Sequence, residues 1–106
     1  MTTDTLTAAR EAFIAAGDKY RTMQAQADEA AAELQRLDGM TGAELLDDPG
    51  KAEEIALEHS KAEHLAKLRA QMAKAAQGRW QAAAVPVLQA EADALQPAID
   101  AAQRNV

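Results

Sequence analysis

The feature that most constrains this chain is an unbroken run of apolar residues at alternating spacings of three and four, from Leu6 to Leu37. Its members are Leu6, Ala9, Phe13, Ala16, Tyr20, Met23, Ala27, Ala30, Leu34 and Leu37, and we refer to them as the N-terminal seam. A repeat of about 3.5 residues is typical of a coiled-coil helix whose apolar positions line one side. The run therefore predicts a long helix over about residues 4–38.

Two residues mark the expected ends of this first helix. Asp4 is suited to the N-cap, where its carboxylate can accept a hydrogen bond from a free backbone N–H. Gly39 is suited to the position just after the last turn, where many helices end. We therefore expect the chain to leave the helix at Gly39.

Residues 39–48 are predicted to form a capped turn between two helices. Thr41 and Glu44 have the spacing of a capping box, in which each side chain accepts a hydrogen bond from the backbone N–H of the other residue. Met40 and Leu45 then occupy the two positions of a hydrophobic staple. The segment is therefore expected to be ordered, with a single helical turn.

A second helix is predicted over about residues 49–84. Asp48 is suited to the N-cap of this helix and Pro49 to its first position. At the first position the backbone N–H has no acceptor within the helix, so proline loses nothing by lacking it. The expected buried stripe is broad rather than strictly periodic. It consists of Ile55, Ala62, Leu65, Leu68, Met72, Ala76, Trp80 and Ala83.

Two helices of similar length joined by a short turn favour an antiparallel hairpin. Folding about the predicted turn places Trp80 opposite Ala8, Ala9 and Ala12, whose small side chains leave room for an indole. The chain has one Phe, one Tyr and one Trp, so the core is expected to be thin and rich in alanine.

A third helix is predicted over about residues 86–104. Val85 precedes Pro86, and a proline disfavours helical geometry in the residue before it, so we expect the rod to break there. The segment has its own apolar spacing of three and four. Its apolar residues are Val85, Leu88, Ala92, Leu95, Ile99, Ala102 and Val106. We expect Leu88, Leu95 and Ile99 to self-associate, because an isolated helix of this length is only marginally stable in water.

The predicted fold class is therefore all-α. Residues 1–106 are expected to form a single helical domain, a long antiparallel helical hairpin with coiled-coil character plus a third C-terminal helix after a proline break. The chain contains no cysteine, which excludes disulfides and thiolate metal sites and fits a reducing compartment. No apolar window is long enough for a membrane span, so we expect a cytoplasmic protein without a membrane partner.

Charge is distributed unevenly along the sequence. Residues 28–58 contain ten acidic residues against Arg36 and Lys51, although the whole chain has a net charge of only −6. Residues 64–90 contain no acidic residue and are locally basic. Their cations do not form one stripe on a helix, which argues against a nucleic-acid partner.

The predicted turn carries two adjacent leucines among these acids, and two interpretations of them stay open. In the first, Leu45 and Leu46 cover the open end of the hairpin, and the acids are a solvated surface. In the second, one leucine faces outward and anchors a protein partner with a basic surface, which the acids attract. The partner-binding residues would then be Glu44, Leu45, Leu46, Asp47 and Asp48.

The sequence contains no convincing chemical motif, so we predict no catalytic residue, no metal ligand and no cofactor. His59, Glu63 and His64 resemble metal ligands, but the two histidines are not spaced to share a helix face. Ser60 is the sole serine and lies within a predicted helix, without the strand and turn that a hydrolase nucleophile needs.

Two classes of function are therefore expected. The first is a non-enzymatic helical protein–protein interaction module that acts in assembly or as an adaptor, with itself as one candidate partner in a homodimer. The second is a small bacterial or phage-encoded regulator or inhibitor that binds a basic surface of a host protein through its acidic turn end.

Overall fold

The computed structural model describes the backbone of residues 2–104, and their side chains except at 2–3, 40–41 and 43–44. Every described residue other than Asp48 is helical, and none of the described residues lies in a strand. Helix α1 spans Thr2–Asp47, a short 3₁₀ helix spans Pro49–Lys51, and α2 spans Ala52–Arg104. The prediction of an all-α fold is confirmed.

The chain groups into two compact units, which we describe separately. Unit 1 contains Met1–Tyr20 and Ala76–Val106, and unit 2 contains Arg21–Ala75. Each unit therefore draws on one part of α1 and one part of α2. The single-domain organisation expected from the sequence stays a prediction.

The buried face of α1 follows the N-terminal seam. Every member of the seam is buried or half-buried, and Leu37 is only 4% exposed. Fully burying a leucine side chain contributes about 2 kcal/mol to folding, so the seam is a main source of stability for α1. The predicted buried face of this helix is confirmed.

The predicted end of the first helix at Gly39 is wrong, because α1 continues to Asp47. No glycine among the described residues has the positive φ that a glycine helix end requires. The helix ends one residue before Asp48, which has φ −144° and caps the 3₁₀ helix by accepting a hydrogen bond from the Gly50 N–H at 3.1 Å. Pro49 enforces this break, because it disfavours helical geometry at the residue before it. Asp48 and Pro49 thus have the predicted N-cap and first-turn roles, in the 3₁₀ helix that precedes α2.

The capped turn predicted at residues 39–48 is accordingly a continuation of α1 as far as Asp47. The capping box of Thr41 and Glu44 involves side chains outside the described residues. The same holds for the Met40 side chain of the predicted staple.

The predicted break at Pro86 is also wrong, and the separate third helix with it. Helix α2 continues through both Pro86 and Pro97. A proline inside a helix removes one hydrogen bond and costs about 3 kcal/mol, but it does not forbid the helix. Ala83 and Val87 are half-buried and Ala90 is buried, so one packed face of α2 extends across Pro86. This packing offsets the cost of the proline.

The buried face of α2 is strictly periodic, in contrast to the broad stripe predicted for it. From Ile55 to Ala90, the buried and half-buried residues other than Ala84 alternate in steps of four and three, and we call them the α2 seam: Ile55, His59, Ala62, Ala66, Arg69, Ala73, Ala76, Trp80, Ala83, Val87 and Ala90. The predicted stripe is wrong at Leu65, Leu68 and Met72, which are between 43% and 52% exposed. Most α2 seam positions are small alanines, and the three large side chains lie outside the seam.

Candidate interaction surfaces

In unit 1 the three aromatic residues of the chain form one cluster. The Trp80 ring lies 5.5 Å from that of Tyr20, centre to centre, at an interplanar angle of 19°. The Phe13 ring lies 5.9 Å from the Trp80 ring, centre to centre, and is tilted by 32°. Gly17 is buried between Phe13 and Tyr20 along α1, and a Cβ added there would lie 2.8 Å from the Trp80 Nε1. The absence of a side chain at Gly17 makes room for the indole.

The expected partner of Trp80, the alanines at 8–12, is therefore wrong. The indole meets a later part of α1, around Gly17. Because α1 continues to Asp47 instead of ending near residue 38, the pairing with α2 shifts toward later residues of α1. A small residue does lie opposite the tryptophan, as predicted, but it is Gly17 and not an alanine at 8–12.

Unit 1 also carries an exposed apolar surface near the C-terminal end of α2. Its residues are Val85, Leu88, Ala92, Leu95 and Ile99, and we call this surface the C-terminal apolar face. The four large side chains are between 46% and 63% exposed. Residues two positions apart on a helix point about 200° apart, so Val85 lies opposite its seam neighbours Ala83 and Val87. The structure thus brings the predicted self-association residues together on one exposed face. Val106, in the predicted stripe, lies outside the described residues.

The edges of the C-terminal apolar face carry little net charge. One edge is a row of exposed glutamines, Gln89, Gln96 and Gln103, spaced seven residues apart. At the other edge Glu91 forms an ion pair with Arg10 at 3.3 Å. An apolar recess of about 220 Å³ lies beside the face, lined by Phe13, Ala84, Val87, Leu88 and Glu91.

The end of α1 in unit 2 exposes one of its two leucines. Leu45 is half-buried, whereas Leu46 is 84% exposed. Asp47 and Asp48 are exposed beside it, and the Glu44 side chain lies outside the described residues. The interpretation in which both leucines are covered is therefore wrong for Leu46.

Replacing Leu46 by alanine is expected to change the free energy of unfolding by less than about 0.5 kcal/mol, because little surface is lost from the core. Replacing the adjacent Leu45 by alanine is expected to cost about 1–2 kcal/mol, because its side chain is partly buried. Urea unfolding followed by circular dichroism measures both values. Equal effects of the two substitutions would contradict the different burial of these neighbours.

Polar contacts in unit 2 include one between the helices that the sequence reading missed. His59, which the sequence singled out only as one of three residues that resemble metal ligands, lies in the α2 seam, and its Nε2 contacts the Asp38 carboxylate on α1. Its Nδ1 lies 3.9 Å from Glu63, one turn further along α2. On α1 the Arg36 Nε donates to Glu33 at 2.9 Å, and this hydrogen bond holds the pKa of Glu33 below its ordinary value. The 3.5-residue spacing of the α2 seam was the signal that could have identified His59.

Comparison with protein-family models, curated protein sequences and solved structures finds no match to this chain. Among the described residues, no set of three or more His, Cys, Asp or Glu side chains is arranged to hold a metal ion. Neither α1 nor α2, over residues 2–104, contains an apolar stretch that could cross a membrane.

Proposed function

We propose that this chain is a non-enzymatic helical interaction module that acts in assembly by pairing with a second copy of itself. The C-terminal apolar face is the proposed contact. The observation that carries the proposal is the regular spacing of large, exposed apolar side chains along one side of α2. Helix faces with this pattern are normally covered by another helix.

The exposed area supports a dimer of moderate stability. When two copies cover each other's C-terminal apolar face, the contact buries on the order of 1,000 Å², which is near the lower limit for a specific interface. We therefore expect a dissociation constant on the order of micromolar. The recess beside Leu88 adds a place where a side chain of the second copy can insert.

The charges around the face support a second copy as its occupant. The whole chain carries a net charge of −6, so a self-contact through its acidic parts would be repulsive. The glutamine row at one edge is uncharged, and Glu91 at the other edge is paired with Arg10. Two copies can therefore approach through this face without placing unpaired like charges against each other.

The proposal includes an antiparallel coiled-coil arrangement of α1 and α2. In unit 1 Arg10 contacts Glu91, and the later α1 residue Tyr20 contacts the earlier α2 residue Trp80. The strict spacing of both seams supports knobs-into-holes packing between the two helices. Such a hairpin leaves the opposite side of α2 free for the second copy.

The test replaces two leucines of the face by glutamine, Leu88→Gln with Leu95→Gln. Both side chains are largely exposed, so the fold of one chain should be retained while the dimer contact loses its apolar centre. Light scattering coupled to size exclusion, from low to high micromolar concentration, measures the mass against the 11.3 kDa of one chain. The double variant is expected to have a lower mass than the wild type at each concentration.

The matched control replaces Ile14 and Leu57 by glutamine, since both are similarly exposed and lie outside the C-terminal apolar face. This control is expected to keep the mass of the wild type. Equal masses for the wild type and the Leu88/Leu95 variant would contradict the proposal. The circular dichroism spectrum of each variant checks that the helices are retained.

The second candidate function is a regulator or inhibitor that presents the acidic turn end to a basic surface of a host protein. The exposure of Leu46 beside Asp47 and Asp48 favours it. Binding of this kind weakens as salt is added, because charge steers the approach. Self-association through an apolar face does not weaken with salt, which separates the two functions. The cytoplasmic location expected from the sequence remains a proposal in both.

A further inference from the structure

Unit 2 contains a groove whose two rims carry opposite charge. The groove has a volume of about 200 Å³ and an apolar floor of Ala30, Ala62 and Leu65. Glu29 and Glu33 line it from α1, and we call them the α1 rim; Lys61 and Arg69 line it from α2, and we call them the α2 rim. The apolar floor extends along α2 through the exposed Leu68 and Met72. The groove therefore combines an apolar strip with an acidic side and a basic side.

The rim charges are largely uncompensated within the chain. Glu33 is bonded to Arg36, but the described part of the chain contains no ion pair for Glu29, Lys61 or Arg69. Arg69 is half-buried in the α2 seam and lines the groove. A partner that supplies an acid to the α2 rim and a base to the α1 rim would satisfy these groups.

We propose that this groove binds the same groove of a second copy, as a contact distinct from the C-terminal apolar face. A two-fold axis parallel to the helices places α1 of one copy against α2 of the other. Each acidic rim then meets a basic rim, and the strips of Leu65, Leu68 and Met72 cover each other's grooves. A two-fold axis perpendicular to the helices would place acidic rim against acidic rim, and repulsion disfavours it.

Two different two-fold contacts on one chain have a consequence for assembly. One contact alone stops at a dimer, whereas two contacts together build a closed tetramer or a longer chain of dimers. The wild type is therefore expected to exceed the mass of a dimer at high concentration. A variant with a single intact contact is expected to stop at twice the 11.3 kDa of one chain.

The test uses charge exchange in the Leu88→Gln, Leu95→Gln background, so that the C-terminal apolar face does not contribute. The first variant carries Glu29→Lys and Glu33→Lys, which makes both rims basic. The second carries Lys61→Glu and Arg69→Glu, which makes both rims acidic. Each variant alone is expected to have the mass of one chain, because like charges would meet in its dimer. An equimolar mixture is expected to form a heterodimer, because basic rims then meet acidic rims on both sides.

Ion-exchange chromatography and light scattering of the mixture distinguish the outcomes. A heterodimer that dissociates in high salt supports the groove contact. A mixture that contains only single chains while each variant remains helical would overturn it, and so would a heterodimer that persists unchanged in high salt. The Leu88→Gln, Leu95→Gln background, in which no charge is exchanged, gives a second test. It should dimerise through the groove at high concentration, and a constant mass of one chain would also overturn the proposal. Neither negative result affects the C-terminal apolar face, which is tested by comparing wild type with background.

Discussion

Replacing Gly17 by alanine is expected to destabilise the protein by about 2 kcal/mol, although the same change usually stabilises an exposed helical position. Gly17 lies inside α1 without a positive φ, so alanine is compatible with the backbone there. Helix propensity alone would favour alanine by about 1 kcal/mol. The contact with Trp80 reverses the sign, because the new Cβ would lie 2.8 Å from the indole Nε1.

The indole cannot easily move away from this new methyl group. It packs against both Tyr20 and Phe13, whose ring centres are 5.5 Å and 5.9 Å from its own. A rigid ring packed against two other aromatic rings transmits the strain to the spacing of the helices, and overpacking of this kind costs about 1–3 kcal/mol. Because Trp80 is the sole tryptophan, its fluorescence reports the displacement directly.

Gly78→Ala is the matched control, since Gly78 is also helical but a Cβ added there would meet nothing within 4 Å. This change is expected to stabilise the protein by up to about 1 kcal/mol through helix propensity. Thermal unfolding at one fixed protein concentration compares the two variants, because association shifts the apparent stability. Stabilisation by Gly17→Ala, with unchanged fluorescence, would contradict the packing of Trp80 against α1.

Replacing Pro86 by alanine is expected to stabilise the protein by about 3 kcal/mol, which is the second large effect. Pro86 lies in the interior of α2 and cannot donate a hydrogen bond to the carbonyl of Ala82, one turn earlier. Alanine restores this donor and removes the clash of the ring with the same carbonyl. The melting temperature measured by circular dichroism should rise, by roughly 4–8 °C for each kcal/mol in a domain of this size.

Pro49→Ala is the control for this prediction. Pro49 occupies the first position of the 3₁₀ helix, where an N–H has no helical acceptor and the fixed φ of proline is favourable. The same substitution there is therefore expected to lower the melting temperature slightly. A lower melting temperature for Pro86→Ala would show that the chain needs a break at this position, and that α2 is not continuous across it.

The buried face of α1 could be predicted from the sequence because its signal is local and strong. Large residues such as Leu6, Phe13 and Leu34 recur at one position of the repeat, and every seam residue is buried or half-buried as expected. The buried face of α2 could not be predicted in the same way, because the apolar signal at its seam positions is weak. His59 and Arg69 occupy seam positions, and the seam residues between Ile55 and Trp80 are otherwise alanines, while larger apolar side chains lie at the edge. A prediction based on the size of apolar side chains therefore assigns Leu65, Leu68 and Met72 to the buried face, although they lie outside the seam.

The helix ends predicted at Gly39 and Pro86 were wrong because each was inferred from the preference of a single residue. Gly39 permits a helix to end but does not require it, and the good helix formers Ala43, Glu44 and Leu45 lie in the part of α1 that continues beyond it. Pro86 makes a helix costly at one position but does not forbid it when a packed face extends on both sides. At Asp48 and Pro49, by contrast, N-cap and proline preferences act together, and the helices are interrupted there as predicted.

The sequence by itself determined the all-α class, the interruption at Asp48 and the face that α1 buries, because each depends on the periodicity or backbone geometry of neighbouring residues. Only the tertiary structure decided which residues meet across the helices: Trp80 against Gly17, and His59 against Asp38. The register between two helices depends on where the connection lies, and a change of a few residues there moves every contact. The exposed C-terminal apolar face follows from both, since its spacing is local but the exposure of its side chains was decided by the tertiary structure.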